Sequence, residues 1–307
     1  MTTSEPITLL TGASGYVGGR LLPLLEARGI PVRCLARKPD GIKRRDTTEV
    51  VRGDVLDAAS LERAMQGVGT AHYLVHLMSG SKDFEREDRQ AALNFATAAK
   101  KAGVDRIIYL GGLGDDADPK LSPHLRSRHE VGEILRQSGI QTIEFRAGMV
   151  VGAGSLSYEL LKSLTDRLPV MICPKWLSTP TQPIAVDDVL AYLLAAMDLP
   201  ADGSRIFEIG GTGVVTYSDL IRVYARLKNL RRWLISVPVL TPYLSGLWLA
   251  LVTPASFEVG RHLIEGLKNP TVVRDGTALK VFDVRPMGVH EAIQKAINQD
   301  QDFQRTI

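Results

Sequence analysis

The sequence predicts an α/β protein with a Rossmann-type, doubly wound parallel sheet and a smaller, irregular C-terminal lobe. Two observations lead to this fold class. In the first half of the chain, short apolar runs alternate with segments whose apolar residues recur at helical spacing, which is typical of βαβ units. A glycine-rich turn also follows the first apolar run directly. We predict a Rossmann domain over residues 1–150 and a second lobe over 151–307, some segments of which return to the sheet.

Short apolar runs form the strands of the predicted sheet. They are Ile7–Thr11, Val32–Ala36, Glu49–Arg52, Ala71–Val75, Arg106–Leu110 and Thr142–Arg146. Apart from the polar, basic loop at residues 39–48, the segments between them are long enough for the crossover helices that parallel strands need.

Apolar helix faces and capping residues predict where the helices begin and end. One apolar helix face runs from Phe84 to Ala102, and Gly103 follows where a C-cap belongs. Ser122 is an N-cap before Pro123, predicting a helix to about Ser138. In the lobe we predict a helix over Asp187–Met197, a strand over Ile206–Ile209 and a helix that Thr216 caps.

Composition excludes several classes of protein. With 307 residues, 45% apolar and 23% charged, the chain resembles an ordinary globular protein and not a disordered one. A net charge of +3 is too small a surplus to predict nucleic-acid binding. Cys34 and Cys173 have neither disulfide-framework nor metal-ligand spacing, so we predict no metal. The polar start, Met1–Pro6, has no apolar signal core, and we therefore predict a cytoplasmic protein.

One long segment carries no charge. The 25 residues from Trp233 to Phe257 would suffice for a membrane span, but Pro238, Pro242 and Pro254 interrupt them. We expect a buried or substrate-lining helix pair. A peripheral membrane contact through residues 233–257 and a true span are the alternatives.

The glycine-rich turn predicts a binding site for the pyrophosphate of a dinucleotide. Gly12 permits the tight turn out of the first strand, Gly15 lets backbone N–H groups approach the phosphates, and Gly18 lets the helix pack closely. The start of the next helix adds free amides and partial positive charge. The predicted cofactor contacts are Gly12, Ala13, Ser14, Gly15, Tyr16, Val17 and Gly18.

Cofactor choice is predicted from the ends of the next two strands. Enzymes that select NAD usually place a carboxylate after the second strand, whereas this chain has Arg37 and Lys38. Because a guanidinium binds phosphate bidentately, we predict NADP(H) over NAD; a solvated basic loop is the alternative. After the third strand, we expect Asp54 and Val55 to contact the cofactor. Asp54 would accept a hydrogen bond from the adenine, unless it is an ordinary turn and helix-cap residue.

Several motifs together resemble a known superfamily. Thr11–Gly18, Gly53-Asp54, Tyr109–Gly112 and Pro183–Val189 resemble the extended and atypical short-chain dehydrogenase/reductases. Ser122–Arg128 and Arg167–Ile172 are similar to the NmrA-like atypical subgroup, which includes bacterial NAD(P)-binding proteins and relatives of a complex I accessory subunit. The resemblance covers nearly the whole chain, and it implies NAD(P) binding and oxidoreductase chemistry.

The resemblance also implies where catalytic groups would lie. The superfamily normally uses a Ser after the fifth strand, then a Tyr and a Lys one helical turn apart. The matching positions here hold Gly111 or Gly112, His124 and Arg128. Arg128 would hold ribose hydroxyls, and His124 would donate a proton or act as a base. A histidine at the helix start that contacts solvent or a phosphate is the alternative.

The remaining predicted cofactor contacts lie beyond other strands. They are His76 and Leu77 after the fourth strand, Gly111 in the fifth, and Ala147 and Gly148, whose segment resembles the one that lines the nicotinamide. We expect His72 and His76 to be structural and not catalytic.

Two functions follow. The first is an NADP-dependent oxidoreductase acting on a small apolar carbonyl, quinone or isoprenoid-like substrate, a choice that rests on the uncharged residues 233–257. The second is a non-catalytic NAD(P)H redox sensor, or an assembly or structural subunit of a larger complex. The replaced Ser, Tyr and Lys favour the second.

Overall fold

The computed structural model of the chain describes residues 6–77, 83–237 and 266–305. Within these ranges the strands are β1 (Ile7–Thr11), β2 (Val32–Ala36), β3 (Glu49–Arg52), β4 (Val68–Tyr73), β5 (Arg106–Gly112), β6 (Gln141–Ala147), β7 (Val150–Val151), β8 (Val170–Cys173), β9 (Pro180–Thr181), β10 (Ile184–Ala185), β11 (Arg205–Ile209), β12 (Val215–Thr216) and β13 (Trp233–Ser236). The α-helices of the same ranges are α1 (Tyr16–Ala27), α2 (Ala58–Ala64), α3 (Phe84–Ala102), α4 (Pro123–Gln137), α5 (Leu156–Arg167), α6 (Val186–Ala195), α7 (Tyr217–Leu227), α8 (Ala278–Val281) and α9 (Val289–Arg305).

The main sheet has seven strands in the order β11–β6–β5–β4–β1–β2–β3, counted over the described residues. The pairs β1–β2, β2–β3, β1–β4 and β4–β5 are parallel. The chain moves outward from β1 to β3 and then returns to place β4 on the other side of β1. This reversal is the switch point of a doubly wound sheet, so the predicted Rossmann-type fold is confirmed.

Three predicted strands, β1 to β3, have the observed bounds, whereas the bounds predicted for the fourth were wrong. β4 begins at Val68 instead of Ala71, and it ends at Tyr73. Val68 pairs with Ile7, and the register shifts before Thr8 pairs with Thr70. Because Gly69 interrupts the apolar run, the sequence pattern did not show that pairing with β1 extends the strand toward its start.

The observed helix ends lie at or near the capping residues predicted from the sequence. Gly103 has a φ of +71° and caps the carboxyl end of α3, as predicted. α4 begins at Pro123 and ends one residue before the expected Ser138. Thr216 and Asp219 form a reciprocal capping box at the start of α7. α6 is shorter than predicted because its last turn, Ala196–Asp198, is a 3-10 helix.

The chain forms two compact units. The first unit comprises residues 1–112, 127–146 and 190–207, and the second comprises 113–126, 147–189 and 208–307. The boundary near residue 150 stays a prediction. Among the described residues, no helix has both the length and the apolar character that crossing a bilayer requires. A buried or substrate-lining helix pair was predicted for the uncharged segment, but its first residues, Trp233–Ser236, form strand β13 instead, with Trp233 and Ile235 exposed. The rest of the prediction falls on residues 238–257, which lie outside the described residues.

Each unit has its own core. In the first unit, three aromatic rings pack in the core. The ring centroid of Tyr73 lies 4.7 Å from that of Phe95 and 5.9 Å from that of Tyr109. In the second unit, Tyr158 of α5 and Tyr224 of α7 pack edge to face with ring centroids 6.1 Å apart. Burial of such large rings contributes much of the stability of a core.

Candidate functional site

The turn between β1 and α1 has room for glycine alone at two positions. Gly12 has a φ of +74°, and an added Cβ would lie 2.6 Å from the carbonyl oxygen of Leu74. A Cβ on Gly18 would lie 2.2 Å from the carbonyl oxygen of Gly12. The N–H of Gly15 donates to that same oxygen at 2.8 Å and closes the turn. The strand end and the helix start therefore approach each other as a phosphate-binding turn requires.

The start of α1 offers its amides and dipole to an anion. Gly15 is its N-cap, with extended backbone and no side chain to satisfy the first-turn N–H groups. No acidic side chain lies in the first turn. The guanidinium of Arg20 lies 4.0 Å from the centre of the Tyr16 ring and adds a full positive charge one turn later. The local charge thus favours a phosphate.

Two basic residues follow the end of β2, the strand next to β1. β2 pairs with β1 in parallel, with Thr11 opposite Leu35, so both strands end at the same edge of the sheet. Arg37 and Lys38 come directly after β2 and are exposed. In a Rossmann sheet the end of the second strand lies near the adenosine ribose, and a contact between Arg37 and a 2′-phosphate stays a prediction.

Asp54 makes local hydrogen bonds. Its Oδ1 accepts from the N–H of Leu56 at 3.0 Å, and its own N–H donates to the Ser60 hydroxyl at 3.0 Å. These contacts match the turn part of the alternative, whereas the N-cap of α2 is Asp57, whose side chain accepts from the N–H of Ala59. The adenine contact stays a prediction. Val55 is buried in the core of the first unit, so only its backbone would reach a cofactor.

A buried carboxylate organises the end of β4. Asp88 of α3 accepts from the N–H of Leu77 on Oδ1, and from the hydroxyl of Ser127 and Nδ1 of His76 on Oδ2, all within 3.1 Å. Burial raises the pKa of Asp88, but the His76 hydrogen bond and charge, the Leu77 N–H and Arg128 together outweigh it and lower that pKa. Asp88 is therefore an anion that holds His76 and Leu77 in place.

His76 is partly exposed above this carboxylate. Burial and the charge of Arg128 lower the pKa of His76, although Asp88 opposes both. The neutral ring is therefore the main form at neutral pH, with its Nδ1 proton directed at the Asp88 carboxylate, since that carboxylate can only accept. Residue 76 follows Leu74, which touches the glycine turn, so His76 lies at the same edge of the sheet as the turn.

Arg128 is buried and bonded to strand ends. Its guanidinium donates to the carbonyl oxygens of Val75, at 3.3 Å, and Leu110. It also lies 4.8 Å from the centre of the Tyr109 ring, whose hydroxyl donates to the Arg128 carbonyl at 2.8 Å. These contacts join β4, β5 and α4, and a bond from Arg128 to a ribose stays a prediction.

The other predicted site residues fall into both units. Gly111 is in the first unit, and a Cβ there would lie 3.1 Å from the Tyr109 ring. His124, Ala147 and Gly148 belong to the second unit. His124 is half-buried in the first turn of α4, and the carbonyl of Ala147 accepts from the N–H of Leu113 at 2.8 Å. Their roles stay predictions.

Asp88 and Ser127 were not predicted from the sequence. The signal for Asp88 was present, because it lies on the apolar face of α3 between Phe84 and Phe95, at spacings of four and seven. A charged residue on a buried helix face needs a partner. Nothing comparable marks Ser127, whose contact with Asp88 spans 39 residues of sequence.

A sequence profile described as NAD(P)H-binding matches residues 12–167, about half of the chain, starting at the first glycine of the turn. The chain belongs to this NAD(P)H-binding family. The match confirms the resemblance to the atypical short-chain dehydrogenase/reductases, and with it the dinucleotide-binding assignment of the Rossmann domain.

Two relatives that match more than two thirds of this chain are named as reductases. A ceramide reductase of Caulobacter vibrioides is 27% identical over 270 residues, 85% of this chain and 84% of the relative. A (4-alkanoyl-5-oxo-2,5-dihydrofuran-3-yl)methyl phosphate reductase of Streptomyces griseus is 34% identical over 216 residues, 68% of this chain and 69% of the relative. The crystal structure of Citrobacter sp. triphenylmethane reductase complexed with NADP(H) has a TM-score of 0.74 at 15% identity, covering 95% of this chain and 99% of that one, which shows a shared fold.

Proposed function

We propose that the chain is an NADPH-dependent oxidoreductase that reduces an apolar carbonyl or quinone-like substrate. The glycine turn carries this proposal, because the close approach of Gly12 and Gly18 serves a bound pyrophosphate. The residues fit a dinucleotide: an uncapped helix start for the phosphates and Arg37 for a 2′-phosphate. The bound nicotinamide would supply hydride, and the protein would position it.

Two observations support an apolar substrate. The names of two relatives describe a ceramide and an alkanoyl-substituted dihydrofuranone that also carries a phosphate; both molecules have an acyl group. Beyond strand β13, the chain has no charge as far as Phe257. A substrate with a long apolar part would be bound by such a segment through exclusion of water.

We expect Arg37→Ala to weaken NADPH binding about tenfold or more and to leave NADH binding unchanged. The lost contact is a charge-assisted hydrogen bond to the 2′-phosphate, of about 1.5–3 kcal/mol, and NADH has no such group. Titration of both nucleotides by fluorescence measures the effect. Arg63→Ala is the control, because Arg63 is an exposed arginine in the last turn of α2. Equal losses for NADPH and NADH would contradict the assignment of Arg37.

We propose a catalytic role for His76 in place of the structural one expected from the sequence: it would transfer a proton to the substrate oxygen. The Asp88 carboxylate fixes the ring through Nδ1, so the opposite nitrogen, Nε2, would donate the proton. Because the pKa of His76 is lowered, the protonated ring is the minor form at pH 7. The rate of reduction should therefore rise as pH falls. It should level off below the pKa of His76, which lies below the ordinary histidine value.

The His76→Asn variant tests this role. Asparagine can still donate to Asp88 but cannot transfer a proton, so we expect kcat for NADPH oxidation to fall about a hundredfold, with NADPH affinity nearly unchanged. His124→Ala tests the catalytic role predicted from the sequence, and His290→Asn, at an exposed position on α9, is the control. Unchanged turnover in His76→Asn would exclude His76 as the proton donor.

The non-catalytic alternative has one specific observation in its favour. Gly111 or Gly112, His124 and Arg128 occupy the positions where the superfamily places its Ser, Tyr and Lys. An assay of NADPH oxidation over a panel of quinones and long-chain aldehydes separates the two functions. Turnover of any member supports the reductase, whereas tight NADPH binding without turnover supports a sensor or scaffold.

A further inference from the structure

The second unit has an exposed apolar face on a two-stranded sheet. β8 and β13 pair in parallel, with Val170 opposite Trp233 and Ile172 opposite Ile235. The side chains of these four residues are between 48% and 72% exposed. We name this surface the β8–β13 face.

The opposite side of the same two strands is buried. Met171, Cys173 and Leu234 alternate with the exposed residues and pack in the core of the second unit. The outward side chains therefore lie together on one side of the two strands, opposite the core. Apolar residues exposed singly are ordinary on protein surfaces, but adjacent ones on paired strands form a patch of the kind that marks an interaction site.

Positive charge lies at one end of this face. Because the strands are parallel, both begin at the same end of the sheet. Arg231 and Arg232 directly precede β13, and Arg167 lies shortly before β8. Arg167 and Arg231 are exposed, while Arg232 donates to the carbonyl oxygen of Asp166 at 3.1 Å.

Asp166 is the acidic neighbour at this end of the face. Its Oδ2 accepts from the hydroxyl of Tyr224 at 3.2 Å. Among the exposed charges that directly flank the two strand starts, Arg167 and Arg231 outnumber Asp166, while the guanidinium of Arg232 is held by backbone carbonyls. After β13, the sequence continues without any charge as far as Phe257.

We propose that the β8–β13 face docks on the surface of a lipid bilayer that contains anionic lipids. Trp233 is the most exposed member of the face, and tryptophan favours the boundary between headgroups and acyl chains. The arginines at the strand starts would lie against lipid phosphates and carboxylates. Apolar insertion and basic attraction together give the two contributions that stable peripheral binding needs. This inference does not depend on the proposed enzymatic activity.

Sedimentation of the full chain with lipid vesicles tests the proposal. We expect binding to vesicles of phosphatidylcholine with one quarter phosphatidylserine, and weaker binding to phosphatidylcholine alone. The double variant Trp233→Ser, Ile235→Ser should lose at least about tenfold in vesicle affinity. The matched control is the double variant Val214→Ser, Leu279→Ser, which removes two exposed apolar residues elsewhere in the second unit and should bind like the wild type.

Arg231→Glu separates the contribution of charge. It should weaken binding to the phosphatidylserine vesicles and reduce the salt dependence, because part of the screened attraction to the headgroups is lost. Circular dichroism and urea unfolding establish that each variant is folded. These measurements keep loss of docking distinct from loss of structure.

Three outcomes would overturn the proposal. The first is that the wild type binds neither kind of vesicle. The second is that the Trp233→Ser, Ile235→Ser variant binds vesicles as tightly as the wild type. A dimer in analytical ultracentrifugation that the same variant abolishes, without vesicle binding, would assign the face to a second copy of the chain.

Discussion

A Gly18→Ala variant is expected to bind NADPH at least about a hundredfold more weakly than the wild-type chain. The new Cβ would lie 2.2 Å from the carbonyl oxygen of Gly12, so the helix start and the strand end must separate. Loss of two backbone hydrogen bonds to a charged phosphate, each of about 1.5–3 kcal/mol, accounts for this factor. Quenching of protein fluorescence by NADPH measures the affinity.

Two further glycine variants make this result specific. Gly41→Ala is the control, because a Cβ there meets no atom within 4 Å. Gly15→Ala places its Cβ 3.1 Å from the Gly12 oxygen, a contact that a small shift relieves, so it should keep the fold and weaken NADPH binding less. Wild-type affinity in both Gly15→Ala and Gly18→Ala would show that the cofactor does not bind at this turn.

The stability of the first unit is expected to fall steeply as pH decreases below about 6.5, owing to His72. This side chain is fully buried on β4, and neither ring nitrogen has a hydrogen-bond partner among the described residues. Burial lowers its pKa from 6.5 to about 3. Between these values the unfolded chain binds a proton that the folded chain does not, so stability increases with pH by about 1.4 kcal/mol per pH unit.

A His72→Leu variant isolates this effect. Urea unfolding at pH 7 and at pH 4.5 should show that the wild type loses about 3 kcal/mol more stability between the two pH values than the variant does. His290→Leu, at an exposed position, should retain the wild-type difference. Equal losses in wild type and His72→Leu would mean that the folded state protonates His72 as easily as the unfolded chain.

Local features of the fold were predictable from short stretches of sequence. The bounds of β1, the glycine turn and the start of α1 follow from signals within about ten residues: an apolar run, spaced glycines and an amphipathic pattern. Gly103 and Thr216 likewise mark helix ends by their own chemistry. These elements need no distant partner to specify them.

Features that depend on distant contacts were not predictable. His76, Asp88 and Ser127 come from three different parts of the chain, and only the folded sheet joins them. Glu144 also depends on distant contacts. It lies in β6, a strand that was predicted, but the sequence did not show that it is completely buried and pairs with Arg136 and Arg146. A strand pattern alone does not show which charged residue faces inward.

The β8–β13 face shows a further limit of sequence patterns. Both sides of these strands carry apolar residues, so the alternation that normally separates a buried from an exposed side is missing. The sequence therefore indicated an uncharged segment without showing that its first residues form a strand. Only the structure shows that Trp233 and Ile235 pair with Val170 and Ile172 of β8 and are exposed.

Isothermal titration calorimetry of the purified chain with NADPH, NADH, NADP⁺ and NAD⁺ tests the central claim most directly. We expect one site per chain, with NADPH and NADP⁺ bound more tightly than their counterparts without the 2′-phosphate. Heat of binding should disappear in Gly18→Ala and persist in Gly41→Ala. If none of the four nucleotides gives heat with the folded wild-type chain, the glycine turn is not a dinucleotide site and the proposed function is wrong.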